Sequence, residues 1–243
     1  MKISEFFLTI YFWSLSVICL LVTYVTCLLL YPFIDQKTFA RIYEVMTGYV
    51  MLYLMIIPGF WSLKVIDNRQ DKSWTNESGE SKRFVFVANH LSLIDSLIVS
   101  VFPLKKKFMI AQMFTQIPIF GWLARNAGFV YADRNKPDLN RDAVQRSIET
   151  MRDGCSFLVY PEGRRELIPY QLDEFKTGAY RIARATNLPI LPLTLKNTEK
   201  GMRFGAIVDF ANMEIIIDEP FYVENEDYKF YIEKTKTIMR SRM

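Results

Sequence analysis

His90 is the only histidine in the 243 residues, and it stands in the run Asn89-His90-Leu91-Ser92-Leu93-Ile94-Asp95. An imidazole takes and returns protons near neutrality, its ordinary pKa being about 6.5. Any reaction in this chain that uses an imidazole base therefore runs through His90. Asp95 carries a carboxylate that could hold the ring in one tautomer and steady its cationic form, as the acid does in a serine-protease triad. Read locally, the same run serves equally as a helix-capping Asn-His beside a capping Asp. Further along, Val159-Tyr160-Pro161-Glu162-Gly163-Arg164-Arg165 gathers an acid, a flexible turn and two guanidinium groups. The arginine fork matches phosphate oxygens two at a time, and glycine lets backbone amides approach a ligand closely. Alone, Pro-Glu-Gly is also a common turn.

Alternating elements place these groups. Residues 83–88 are apolar and rich in β-branched and aromatic side chains, which predicts a buried strand ending at Asn89. Helical spacing follows over 92–102, then a strand over 108–111, a helix over 119–126 and a strand over 129–132. An amphipathic helix is expected over 139–152, a strand over 156–160, a helix over 178–186 and a strand over 189–195. The tail reads as a hairpin of 206–210 and 213–218 turning at Ala211-Asn212, then a charged helix near 225–240. Strands alternating with helices predict an α/β fold with a largely parallel central sheet flanked by helices. Sites in such sheets collect beyond the carboxyl ends of strands, and His90, Arg134 and Glu162 each follow one.

The apolar residues are unevenly spread. Residues 1–63 hold six charged side chains that cancel, so the formal net charge of +4 belongs to the remainder. From Phe6 to Tyr31 no residue is charged; as a helix this stretch is about 39 Å long, enough to cross a hydrocarbon core of about 30 Å. A second apolar stretch, Val45–Leu63, is interrupted by Pro58-Gly59, and either a transmembrane hairpin or a pair of helices dipping into one leaflet fits. The expected organisation is thus 1–63 as membrane-anchoring helices, 64–82 as a linker or surface loop, and 83–243 as the main domain. Lys64, Arg69, Lys72, Lys82 and Arg83 follow the second stretch, which predicts a cytoplasm-facing domain. The small net charge gives no argument for nucleic acid. Cys19, Cys27 and Cys155 fit no metal-ligand spacing, so neither a disulfide framework nor a structural metal is expected.

Taken together the blocks resemble the glycerolipid acyltransferases of the 1-acylglycerol-3-phosphate type. Asn89-His90 with Asp95 matches the NHxxxxD block, and Gly128-Phe129-Val130-Tyr131-Ala132-Asp133-Arg134 is similar to the second block, which ends in Asp-Arg. Tyr160 to Arg165 resembles the FPEGTR block, and Leu188-Pro189-Ile190-Leu191-Pro192 the apolar fourth. Ile117-Pro118-Ile119-Phe120-Gly121-Trp122 and Phe175-Lys176-Thr177-Gly178 also fit, and the likeness covers about residues 83–220. The chain departs from the pattern with Arg164 in place of the usual Thr, Glu166 in place of Ser, and Ala111 where a lysine is common. Lys105-Lys106-Lys107 either reaches in to replace that lysine or forms a solvated loop face.

The resemblance implies transfer of a fatty acyl group from a thioester, acyl-CoA or acyl carrier protein, to the free hydroxyl of lysophosphatidic acid, with no cofactor or metal. His90 would take the hydroxyl proton and Asp95 would orient the imidazole. Arg165, Arg134 and Arg164 would hold the acceptor phosphate, with Glu162 and Gly163 shaping that pocket. Acylation of another lysolipid or of glycerol-3-phosphate stays open, as does a membrane lipid-binding protein without catalysis. An α/β-hydrolase would need a G-x-S-x-G elbow, which the chain lacks.

Overall fold

The computed structural model describes residues 2–133, 137–165, 171–203 and 206–243. The chain begins with helix α1 (Ile3–Leu30), followed by α2 (Gln36–Tyr43), a π-helical stretch Glu44–Val50 and α3 (Met51–Ile56). Strand β1 (Trp61–Asp67), β2 (Val85–Ala88), the short α4 (Asp95–Val99), β3 (Lys106–Ala111) and α5 (Pro118–Asn126) come next. They lead to β4 (Val130–Ala132), α6 (Pro137–Arg152), β5 (Ser156–Val159), α7 (Gly178–Thr186) and β6 (Ile190–Lys196). The last elements are α8 (Thr198–Gly201), β7 (Met202–Arg203), β8 (Ile207–Val208), β9 (Ala211–Ile217) and α9 (Tyr228–Arg240).

Seven strands form one sheet in the order β1-β9-β6-β2-β5-β3-β4. Every pairing in it is parallel except β6 with β9, so the mostly parallel α/β architecture holds. The central strands are buried on both faces, which is why they read as unbroken apolar runs. In β2, Val85 and Val87 pack toward α6, α7 and α9, while Phe86 and Ala88 pack toward α1, α3 and α4. Parallel pairing of β2 with β5 puts the loop after Ala88 and the loop after Val159 side by side at one rim.

Three expectations change. The proposed hairpin at Ala211-Asn212 is absent: β9 runs straight through those residues, and Ile207–Val208 pairs instead with Met202–Arg203. Ala211, Met213, Ile215 and Ile217 bury on one side in strict alternation, a strand signal that outweighs the turn-like Asn. The second apolar stretch ends not in helix but in β1, whose Trp61 is buried and donates Nε1–H to the Asp209 carbonyl at 3.1 Å. Strand β1 crosses the expected boundary at 63/64 and pairs with β9 from Trp61 to Asp67. Beyond it, 68–80 folds as a surface loop: Arg69 is buried, grips Asp67 at 3.0 and 2.8 Å, and stacks 3.8 Å over the Trp74 ring. Lys105-Lys106-Lys107 is the third case. Lys106 is buried, with Nζ 2.6 Å from Glu44 and donating to the Phe102 and Leu104 carbonyls; Lys107 donates to Ala127. Burial lowers the pKa of both lysines, opposed at Lys106 by the Glu44 charge.

Among the described residues only Ile3–Phe33 is helical, long and apolar enough to cross a membrane. One face of α1 packs on the sheet domain nearly end to end. Glu5 pairs with Arg203 at 2.8 Å, Trp13 donates to the Ala206 carbonyl at 2.8 Å, and Tyr24 meets Trp122 edge-on at 5.3 Å. The other face leaves Phe7, Val17, Ile18, Val25 and Leu29 more than half exposed.

Gly121 is dictated by a close crossing. A methyl on its Cα would stand 2.1 Å from the Thr115 carbonyl oxygen, inside van der Waals contact with backbone. Gly121→Ala should therefore destabilise the protein by about 1–3 kcal/mol or more, read as a lowered unfolding midpoint in detergent micelles; an unchanged midpoint would contradict the crossing.

Candidate active site

The two reactive segments meet at the carboxyl rim of β2 and β5. Asn89 fixes the exit of β2: its Nδ2 donates to the Leu195 carbonyl at 3.0 Å, and its Oδ1 accepts the Leu195 N–H at 2.8 Å. The side-chain amide thus continues the β2–β6 ladder and sets where His90 leaves the sheet. The chain then bends back so that Asp95, the first residue of α4, lies fully buried beneath it. Asp95 Oδ2 accepts from Leu91 N–H at 2.8 Å, from Ser92 N–H at 2.9 Å, and stands 2.7 Å from His90 Nδ1. Against an ionised carboxylate, which only accepts, Nδ1 is the donor, and in the neutral ring that leaves the lone pair on Nε2. Nε2 meets no hydrogen-bonding side chain among the described residues, and the His90 side chain retains 18 % exposure. The helix expected over 92–102 is regular only over Asp95–Val99, because the residues before it are spent on this loop.

The second segment is a turn closed by Gly163 N–H to the Tyr160 carbonyl at 3.1 Å, with Pro161 at its second position and Gly163 at φ +67. This is the residue order that such turns favour, with a glycine where the backbone turns left-handed. Glu162 is buried, and its Oε1 accepts the His90 backbone N–H at 3.2 Å, which bolts the turn to the histidine loop. Tyr160 stacks on the imidazole, ring centroids 4.1 Å apart at 14°, and its hydroxyl lies 3.2 Å from Ser96 Oγ on α4. Burial, and then the Asp95 charge, push that phenol well above its ordinary range, so it stays neutral. Burial and the same charge also raise the Glu199 carboxyl.

Of the residues singled out in the sequence, the structure brings His90, Asp95, Glu162 and Gly163 into one contact network. Arg165, half-buried, follows two residues after Gly163. Arg164 is exposed and engaged by Asp173, Nη2 to Oδ2 at 2.6 Å. Arg134 lies outside the described residues; the strand before it, β4, ends at the same rim. Tyr160 and Ser96 were not among the candidates, although Tyr160 directly precedes the turn and so had to emerge beside His90. Cys155 is buried at the opposite end of β5, where burial pushes its thiol up to about 11, so it offers no thiolate. No cluster of three or more metal-binding side chains occurs among the described residues.

Several known proteins resemble this chain. A family model described as acyltransferase matches residues 67–196. Chloroplastic 1-acyl-sn-glycerol-3-phosphate acyltransferases of Brassica napus and Arabidopsis thaliana are each 32 % identical over 145 residues. The match covers 59 % of this chain and 42 % and 40 % of theirs, so the chain spans about two fifths of the length of these relatives. The 1-acyl-sn-glycerol-3-phosphate acyltransferase of Saccharomyces cerevisiae is 27 % identical over 61 % of this chain and 50 % of its own. In fold, the crystal structure of a 1-acyl-sn-glycerophosphate acyltransferase from Thermotoga maritima superposes with a TM-score of 0.76. That match has 21 % identity and covers 99 % of this chain and 97 % of the other.

A lone histidine gives a single imidazole signal. In ¹⁵N-histidine-labelled protein above neutrality, the Nδ1–H tautomer should dominate, and Asp95→Asn should shift the population toward Nε2–H. A wild-type ring found mainly as Nε2–H would remove the lone pair from where a base needs it.

Proposed function

This chain belongs to the acyltransferase family, and on that premise we propose that it moves a fatty acyl group from a thioester to the free hydroxyl of lysophosphatidic acid, giving phosphatidic acid. The observation that carries the reading is the His90–Asp95 pair, its imidazole partly exposed beside a glycine turn that is followed by arginine. The acceptor hydroxyl gives its proton to His90 Nε2 as its oxygen attacks the thioester carbonyl. The tetrahedral intermediate then collapses, the carbon–sulfur bond breaks, and the leaving thiolate takes the proton back from the imidazolium. A base so placed contributes about 10²–10⁴-fold. Asp95 steadies the imidazolium that forms in between. No acyl-enzyme is needed, and either acyl-CoA or acyl carrier protein presents the required thioester.

Arg165 serves as the main contact for the acceptor phosphate, joined by Arg134. Arg164, its fork shared with Asp173, is secondary. Glu162 and Gly163 shape the pocket by fixing the turn against the histidine loop. The exposed apolar face of α1 supports membrane association. Its contacts with the sheet domain near both ends favour a helix lying in one leaflet over one standing clear of the domain. The basic residues after the apolar stretches support a catalytic domain facing the cytoplasm. A second reading keeps the chemistry and changes the acceptor to another lysolipid; Ala111, where the resemblance leads one to expect lysine, favours it.

Purified protein incubated with labelled lysophosphatidic acid and an acyl thioester should yield phosphatidic acid by mass spectrometry. His90→Ala should reduce that turnover to background without loss of folding or membrane binding. Arg165→Ala should mainly raise KM for the acceptor, by about tenfold or more, as loss of a charged hydrogen bond does. Full turnover in His90→Ala would refute the base assignment.

A further inference from the structure

Lys176 lies in the segment Phe175-Lys176-Thr177-Gly178, which neither the base nor the arginine pair absorbs. Its backbone N–H donates to the Pro161 carbonyl at 2.9 Å, so the residue is tied to the glycine turn. Phe175 before it is buried, and α7 starts at Gly178 immediately after. The lysine therefore has a rigid base although its side chain is exposed. That side chain runs across the turn: a methyl on the Gly163 Cα would stand 3.3 Å from Lys176 Nζ, 3.5 Å from Cε and 3.7 Å from Cδ. The ammonium thus lies over Gly163, next to the residue whose carboxylate accepts the His90 backbone N–H.

Neighbouring charges divide unevenly. Arg164 is neutralised by Asp173 at 2.6 Å. Lys176 and Arg165 have no carboxylate within ion-pair distance among the described residues. Lys176 over Gly163 and Arg165 two residues after it are, among the described residues, two cations without a carboxylate partner beside a turn bonded to the His90 loop, and such a pair makes a place for an anion. A phosphate monoester carries a charge of about −1.5 to −2 near neutrality and has three free oxygens. An arginine fork takes two oxygens side by side, and a lysine ammonium takes a third as a point charge.

We propose that Lys176 is a specificity-determining residue: its ammonium, with the Arg165 guanidinium, holds the phosphate monoester of the acceptor and turns the acceptor hydroxyl toward His90. This deepens the reading above and rests on it. Two cations match a monoester dianion better than the single negative charge of a phosphodiester capped by choline, so lysophosphatidic acid is selected over lysophosphatidylcholine. The donor's own phosphate, in acyl-CoA, offers the same chemistry, and the test must tell the two apart.

The test measures initial rates of the full-length protein in mixed micelles, varying lysophosphatidic acid and acyl-CoA in turn, for wild type, Lys176→Gln and Lys176→Arg. Lys176→Gln should raise KM for lysophosphatidic acid about tenfold, with kcat within about twofold and KM for acyl-CoA unchanged. It should also flatten the rise of that KM with ionic strength, and Lys176→Arg should restore most of the loss. An unchanged acceptor KM in a normally folded Lys176→Gln overturns the proposal. So does a rise confined to acyl-CoA, or a fall in kcat that arginine does not rescue. A wild-type protein that makes no phosphatidic acid from lysophosphatidic acid with any thioester donor sinks the functional reading itself, and this inference with it.

Discussion

Asp95 Oδ2 accepts three hydrogen bonds, from the His90 ring and from the backbone of Leu91 and Ser92, and the reactive end of the molecule is arranged around that oxygen. A buried carboxylate is tolerated only when donors surround it, each charged hydrogen bond contributing about 1.5–3 kcal/mol. Here the donors are the very loop that carries the imidazole. The group that orients the imidazole therefore also folds the segment on which that ring sits. Asn89 on one side and Glu162 on the other fasten that loop to β6 and to the glycine turn. The ring has little freedom left: one edge is bonded and one face lies on Tyr160.

The sheet was legible because its central strands are buried on both faces, and short unbroken apolar runs bounded by turn residues mark such strands clearly. The position of His90 and Glu162 past adjacent strand ends followed from the same pattern. What the pattern hid were features decided by distant partners. Strand β1 was masked by its continuity with an apolar helix, and only β9, about 150 residues later, makes Trp61–Asp67 a strand. Lys106 looked like part of a solvated basic patch because nothing local announces Glu44 as its partner. The stacking of Tyr160 on His90 joins residues 70 apart and has no periodicity to betray it. Nothing local to Arg164 announces that Asp173 engages it.

The N-terminal helices and the sheet share one core. Leu8, Phe12 and Cys19 of α1 and Leu52 and Met55 of α3 pack with Phe86, Ala88, Leu191 and Leu193 of the central strands. A sequence read by composition divides naturally into an apolar part and a soluble part, but the packing does not follow that division. A fragment lacking the helices would expose this face of the sheet to water and leave Lys106 without its counter-charge.

The Lys106–Glu44 pair has a mechanical consequence. Removing one partner of a buried ion pair costs about 3–5 kcal/mol, so the link between the π-helical stretch and β3 opens only at a large fraction of the stability of a typical domain. The apolar helices and the sheet whose rim bears the imidazole are linked through this contact. This buried pair thereby ties the height of the imidazole rim to that of the apolar helices.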